Sequence, residues 1–129
     1  MSRAAWPLQQ SIYSRLSAFM APVPVYDAVP AATAFPYISI GDQTAADGAD
    51  KTDRAAERVT ITLHVWSRKS GRKECKELAA KVVTALHDYP LTVAGFAPVT
   101  LTFEFGNDFY DPDGITLHGV LRFGATITP

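Results

Sequence analysis

Apolar and polar residues alternate with a period of two from Val99 to Thr128, in two segments separated by Tyr110–Gly114. Successive side chains of a β-strand point to opposite faces, so each segment should place its apolar residues on one face. The separating segment has turn chemistry, because Pro112 presets φ and Gly114 tolerates positive φ. The sequence therefore predicts a long C-terminal β-hairpin. Its predicted apolar face consists of Val99, Leu101, Phe103 and Phe105 before the turn and Ile115, Leu117, Leu121, Phe123, Ala125 and Ile127 after it.

Two earlier segments have apolar residues at the three- and four-residue spacing of an amphipathic helix. The first runs from Trp6 to Met20 and has a proline in its first turn, where proline is favoured. The second follows Gly71, and its apolar stripe consists of Cys75, Leu78, Ala79, Val82 and Leu86. We predict that Cys75 is a small buried side chain in this stripe rather than a nucleophile.

Shorter segments predict further strands at Val25–Val29, Tyr37–Ile40, Arg58–Trp66 and Leu91–Phe96. The third has the clearest alternation, and its predicted inner residues are Val59, Ile61, Leu63 and Val65. Residues 42–57 contain no Val, Ile, Leu or aromatic residue. A segment of this composition cannot bury enough apolar surface to offset its ordering entropy, so we expect a mobile loop at about 42–57.

The predicted order is helix, short strands, strand, helix and long hairpin, which indicates an α+β fold. We expect a largely antiparallel β-sheet with two helices packed on one face, in a single domain over residues 1–129. The opposite face would be polar with few charges. Such a face is typical of a surface that packs against another subunit, and equally of a solvated sheet rich in threonine. Its predicted residues are Thr60, Thr62, His64, Trp66, Thr100, Thr102, Glu104, Thr116, His118 and Arg122.

Composition and charge narrow the function classes. The 129 residues are 47% hydrophobic and 19% charged with a net charge of −1, so nothing in the balance requires nucleic acid or membrane as a partner. The single cysteine excludes an internal disulfide and fits a reducing compartment. No apolar run approaches the ~20 residues of a membrane span, and we expect no membrane association.

No arrangement of catalytic residues stands out. His64, His118 and Glu104 share the predicted polar face, but side chains on one face need not converge, and no closely spaced ligand pair supports a metal site. We therefore predict no catalytic residue, no metal and no cofactor.

A basic cluster lies at the start of the second predicted helix and consists of Arg68, Lys69, Arg72, Lys73 and Lys76. Positive charge opposes the helix dipole at this end. These cations and the helix N-terminus could bind phosphate, a DNA backbone or an acidic protein surface. They could equally be solvated charges that keep the protein soluble, and the sequence leaves both interpretations open.

Four blocks of sequence, in this order along the chain, resemble a known family. They are Phe-Pro-Tyr-Ile-Ser-Ile-Gly at 35–41, Arg-Val-Thr-Ile-Thr-Leu-His-Val-Trp-Ser at 58–67, Tyr-Asp-Pro-Asp-Gly at 110–114 and His-Gly-Val-Leu-Arg-Phe at 118–123. The chain resembles the phage tail-completion or tail-terminator family, the head–tail joining proteins of long-tailed phages, prophages and gene transfer agents. The resemblance implies a structural protein without catalysis. It also implies a ring, usually hexameric, that caps the tail tube, ends its polymerisation and joins it to the head connector.

The partners implied by the resemblance are other copies of the chain, the tail-tube protein and a head-side stopper or connector protein. DNA would pass through the lumen without specific binding. Assembly would take place in the cytoplasm, and the chain would then belong to the head–tail junction of the particle. The alternatives are another connector component (a stopper or adaptor), a small nucleic-acid-binding module that uses the basic cluster and Trp66, and a small enzyme or ligand-binding domain.

A ring subunit needs two different complementary patches, because head-to-tail contacts are heterologous. The basic cluster is one candidate patch, and the acidic residues of the predicted loop, including Asp42, are part of the other. The polar face and tip of the hairpin are further candidates for contact with a neighbouring subunit. The predicted interface residues are Arg68, Lys69, Arg72, Lys73, Lys76, Asp47, Asp50, Asp53, Trp66, Asp111, Asp113 and His118.

Overall fold

A five-stranded sheet and two helices form most of the fold. The structure, a computed structural model, describes residues 3–47 and 56–128. Within these residues the helices are α1 (Ala5–Met20) and α2 (Lys73–Leu86). The strands are β1 (Val25–Tyr26), β2 (Tyr37–Asp47), β3 (Glu57–Ser67), β4 (Pro90–Leu91), β5 (Val99–Thr100), β6 (Thr102–Tyr110) and β7 (Leu117–Ile127). The predicted α+β class is confirmed.

The sheet has the strand order β1–β2–β3–β7–β6. β1 and β2 run parallel, whereas the other neighbouring strands are antiparallel, as predicted. β3 and β7 stay in register along their whole length, from Glu57 opposite Ile127 to Ser67 opposite Leu117. β4 and β5 form a separate two-stranded sheet.

The core lies between the helices and the inner face of the sheet. The buried residues of the helices are Leu8, Ile12, Leu16 and Met20 of α1 and Cys75, Leu78, Val82, Ala85 and Leu86 of α2. The four predicted inner residues of β3 are fully buried. Burial also raises the pKa of the Cys75 thiol, in agreement with the predicted role of this residue as a small core side chain.

The predicted loop at 42–57 is shorter than expected. β2 continues to Asp47 and β3 begins at Glu57, so both ends of the predicted loop belong to strands. From residue 43 to residue 47, β2 pairs with β3 without interruption. A polar segment can form a strand without apolar residues of its own when its backbone pairs with a well-buried neighbour. Residues 48–55, and with them Asp50 and Asp53, lie outside the described residues.

Two of the predicted short strands are shorter in the structure than predicted. β1 ends at Tyr26 rather than at Val29, and β4 retains only Leu91 of the predicted segment 91–96. The backbone N–H of Phe96 donates to the carbonyl of Val93 at 3.1 Å, which closes a turn where the strand was expected.

The first strand of the C-terminal hairpin is interrupted. β5, which contains Thr100, pairs with β4, and pairing with β7 begins only at Thr102. A β-bulge between Phe103 and Phe105 then inserts one extra residue and reverses the alternation beyond it. Phe105 is therefore 54% exposed on the polar face instead of facing the core as predicted. The prediction for Ile115 is also wrong, because this residue precedes β7 in the turn and is 60% exposed.

Candidate interaction surface on the open sheet face

Four rings form a row across the sheet face opposite the helices, which we call the open face. This aromatic row consists of Tyr37 on β2, Trp66 on β3, His118 on β7 and Phe109 on β6, which are cross-strand neighbours. From Tyr37 to Phe109 the successive ring centroids are 6.1, 3.8 and 4.9 Å apart. Trp66 and His118 stack almost parallel, at 14°. Because cross-strand aromatic pairs contribute roughly 0.2–1 kcal/mol each, the row stabilises the sheet.

A histidine pair lies beside the aromatic row. His64 Nδ1 and His118 Nε2 are 2.7 Å apart, so one ring donates a hydrogen bond to the other, which must be neutral to accept it. Burial lowers the pKa of both imidazoles, and the neighbouring His64 lowers the pKa of His118 further. Asp42 opposes the shift at His64, and Asp111, 3.7 Å from His118 Nδ1, opposes it at His118. The pair is therefore uncharged at neutral pH.

Two contacts fix the position of these rings against β2. The indole N–H of Trp66 donates to the Ser39 hydroxyl at 2.9 Å. His64 packs closely on the backbone at Gly41, where a Cβ atom would lie 2.7 Å from His64 Cδ2. Glycine at this position therefore allows the histidine ring to approach β2 closely.

The other half of the open face carries charges that are paired within the chain. Glu104 forms an ion pair with Arg58 and lies 3.5 Å from Arg122 Nε. The pair with Arg58 crosses over Gly124, where a Cβ atom would lie 2.7 Å from the carboxyl carbon of Glu104. Glu104 is thus held by arginines and does not converge with the histidine pair, so the His/His/Glu arrangement considered from the sequence does not form.

The predicted basic cluster divides into charges with different partners. Arg72 forms an ion pair with Asp108 of β6, and Lys76 Nζ lies 3.2 Å from the same carboxylate. Burial would raise the pKa of Asp108, but hydrogen bonds from both cations, with their charges, hold it below its ordinary value. Lys73 lies 3.8 Å from a glutamate one helical turn later, and Lys69 is exposed in the turn before α2. The cluster is therefore not one continuous patch of unpaired cations.

Arg68 and Asp113 stabilise the hairpin turn. The Asp113 carboxylate accepts hydrogen bonds from the Thr116 hydroxyl at 2.6 Å and from the backbone N–H groups of Thr116 and Ile115 at 2.8 and 2.9 Å. These bonds, led by that of the Thr116 hydroxyl, lower the pKa of Asp113 to about 2. Arg68 Nε donates to Thr116 Oγ1 at 2.9 Å, and its guanidinium lies 4.3 Å from the Phe35 ring centroid. Thr116 is therefore buried in the turn rather than on the open face as predicted.

The predicted interface residues thus lie in separate places. Trp66 and His118 meet in the aromatic row, whereas Asp47 is exposed at the end of β2. Tyr37 and Phe109 were missed, although both belong to segments with strand-like alternation. Alternation assigns a residue to a face, but only the register shows that these two rings flank the Trp66–His118 stack.

A groove of about 500 Å³ lies between α1 and β1. Its walls include Trp6 and Tyr13 of α1 and Tyr26 of β1. Trp6 and Tyr13 are exposed, and the outward positions of α1 around them are uncharged. Exposed aromatic residues on an uncharged helix face are typical of a surface that contacts another protein.

Two observations bear on other chemistry. Among residues 3–47 and 56–128, no three His, Cys, Asp or Glu side chains are grouped so that they could hold a metal ion. In the same part of the chain, neither helix combines the length and the apolar character needed to cross a bilayer.

Comparison with known proteins identifies the relatives of the chain. The model of the family described as tail completion protein gp17 matches residues 10–128. The tail completion protein gp17 of Bacillus phage SPP1 is 32% identical over 93 residues, which cover 72% of this chain and 68% of that protein. A chain in the structure of the virion of a native gene transfer agent particle matches with a TM-score of 0.86 and 25% identity over 100% of both chains. The structure of bacteriophage SPP1 gp17 matches with a TM-score of 0.66 and 27% identity over 98% of this chain and 93% of that one. The match along residues 10–128 confirms the predicted relationship, and the chain belongs to the tail completion protein gp17 family.

Proposed function

We propose that the chain is a structural, non-catalytic subunit of a ring that caps the tail tube of a phage or phage-like particle, ends tube polymerisation and joins the tube to the head connector. The observation that carries this proposal is the full-length match, at a TM-score of 0.86, to a chain of a gene transfer agent virion. The proposed ring is a hexamer of this chain, assembled in the cytoplasm and then retained at the head–tail junction. DNA passes through its lumen without specific binding.

The surface of the chain supports a role in assembly. The open face presents the aromatic row, and α1 presents Trp6 and Tyr13 beside a groove. Interfaces between proteins are enriched in aromatic residues and depleted of charged ones at their centres. Surfaces of this composition on two sides of one chain suit a subunit that contacts several neighbours: other copies, the tail-tube protein and a head-side stopper or connector.

The nucleic-acid-binding alternative loses its main support. It required a free basic cluster, but Arg72 and Lys76 share Asp108, and Arg68 is engaged in the hairpin turn. Phosphate neutralisation by exposed cations supplies most of non-specific DNA binding, so paired cations contribute less to it. The second candidate function is instead another connector component, a stopper or adaptor, because such a protein would present similar contact surfaces.

Electron microscopy of particles made without this chain tests the proposal. If the gene is deleted from the phage or phage-like element that encodes it, we expect overlong tails without heads, and complementation with the wild-type chain should restore normal particles. Tails of normal length that are detached from heads would instead support the connector alternative. Complete particles of normal length would contradict both functions.

A further inference from the structure

Two strand edges of the sheet lack a partner strand within the described residues. β6 is the last strand of the sheet and pairs only with β7. At the other side, β1 pairs with only two residues of β2, Ile38 and Ser39. Within segment 41–47 of β2, residues 43–47 therefore pair with β3 alone and leave their second backbone edge open. Each open edge offers a row of N–H and C=O groups to another strand.

Each edge strand has one β-bulge near its start, between Phe103 and Phe105 in β6 and between Ile40 and Gln43 in β2, and beyond it neither edge carries lysine, arginine or proline. Soluble proteins shield exposed edge strands with lysine, proline or inward-pointing charges. β6 contains no lysine, arginine or proline, and its acidic side chains Glu104 and Asp108 are bound to arginine and lysine of the same chain. Phe105 and Phe109 of β6 are 54% and 40% exposed. Segment 41–47 likewise contains no lysine, arginine or proline.

The directions of the strands make these two edges compatible. β2 is antiparallel to β3, β3 to β7, and β7 to β6, so β2 and β6 run in opposite directions. When a second copy continues the sheet in the same orientation, its β2 is antiparallel to β6 of the first copy. Antiparallel pairing is the more stable ladder per residue. The contact joins two different edges, so it is heterologous, and it gives a ring when the rotation between successive copies closes.

The charges near the two edges are complementary. Around β6, three cations (Arg72, Lys76 and Arg122) surround the two carboxylates of the strand, which leaves an excess of positive charge, whereas Arg58 of β3 lies opposite Ala46 and is near both edges. Segment 41–47 carries Asp42 and Asp47 and no cation. Opposite potentials of this kind favour one docking direction over a contact between two identical edges.

We propose that β6 of one copy pairs antiparallel with segment 41–47 of β2 in the next copy, so that the ring is joined by a sheet that continues from subunit to subunit. This inference deepens the proposed function, since it rests on the formation of a ring, and it names the contact that forms it.

Disulfide trapping tests this contact. A Cys75→Ala background removes the native thiol, and Thr44→Cys, on the open-face side of β2, is combined in turn with Phe105→Cys, Asn107→Cys and Phe109→Cys on the same side of β6. These three positions sample the registers with which the two edges can meet. Paired strands bring Cα atoms to about 4.5–5.5 Å, within the range that a disulfide bridges.

In particles assembled from these variants and mildly oxidised, we expect at least one combination to give a ladder of covalent oligomers on denaturing gels. The matched control combines Thr44→Cys with Lys81→Cys on the outer side of α2, which should remain monomeric. Particles that assemble normally but give no ladder with any of the three combinations would overturn the edge pairing and leave the ring function intact. A ladder together with normal tails in the deletion strain would contradict the function and leave the pairing intact.

Discussion

Gly119 of β7 determines how closely α2 approaches the sheet, and its replacement by alanine should lower stability. A Cβ atom at this position would lie 3.0 Å from Cys75 Sγ and 3.3 Å from Val65 Cβ, compared with an optimum of about 3.5–4.0 Å between carbon atoms. Both neighbours are buried, and the β-branched valine cannot turn away freely. Overpacking of this kind costs about 1–3 kcal/mol, whereas replacing glycine within a strand returns roughly 0.5–1 kcal/mol. We therefore expect a net decrease of about 1–2 kcal/mol in the free energy of unfolding.

Urea denaturation followed by circular dichroism measures this decrease, and a double-mutant cycle identifies its cause. Cys75→Ala removes the closest atom, so Gly119→Ala should cost less in that background, with a coupling energy of about 1 kcal/mol. The Cys75→Ala background should remove only part of the destabilisation caused by Gly119→Ala, because the close contact with Val65 remains. Thr126→Ala, at an exposed position of the same strand, controls for strand propensity. Full stability of Gly119→Ala, or strictly additive effects in the cycle, would refute the proposed close contact.

Two further predictions concern pH. Burial lowers the pKa of His64 and His118 below 6.5. The unfolded chain therefore binds protons more readily than the folded chain. The free energy of unfolding should be highest above pH 6.5 and fall as pH decreases through the lowered pKa values. A His64→Gln, His118→Gln double variant should weaken the pH dependence of the unfolding free energy below pH 6.5, as measured by urea titration. If this pH dependence is unchanged in the variant, the histidine pair is not its cause. At lower pH, the stability contributed by the Asp113 carboxylate should be full above pH 3.8 and be lost as pH falls through its pKa of about 2. Asp113→Asn should lower the melting temperature at pH 7 and remove this acid dependence, and equal melting curves for variant and wild type would contradict a structural role of the carboxylate.

Local pattern accounts for most of the fold. Each helix buries most of the apolar stripe that its spacing indicates, although Ala79 of α2 is only partly buried, and β3 buries every second residue. Hydrophobic spacing could not predict the extension of β2 to Asp47, because residues 41–47 are polar or small. Its strand conformation depends on pairing with β3, which is a tertiary interaction and leaves no hydrophobic pattern in the segment itself.

The candidate surface was harder to predict because its members are joined by register and not by spacing. The sequence indicated that His64 and His118 share a face, but not that their nitrogens meet at 2.7 Å while Glu104 is held by arginines. It likewise showed five cations at the start of α2 without showing that Asp108, on a distant strand, accepts two of them. Charge partners of this kind are set only when the strands are aligned.

The β-bulge at Glu104 determines both the aromatic row on the open face and the ion pairs of Asp108. Phe109 lies six positions after Phe103, so regular alternation would place both on the same face. Phe103 is nevertheless directed to the core, where its ring meets Phe123 at 5.6 Å, while Phe109 completes the aromatic row on the open face against His118. One extra residue reconciles the two requirements. The same reversal brings Asp108 to the helix side of β6, where Arg72 and Lys76 bind it, so a single inserted residue creates the exposed aromatic edge and neutralises part of the basic cluster.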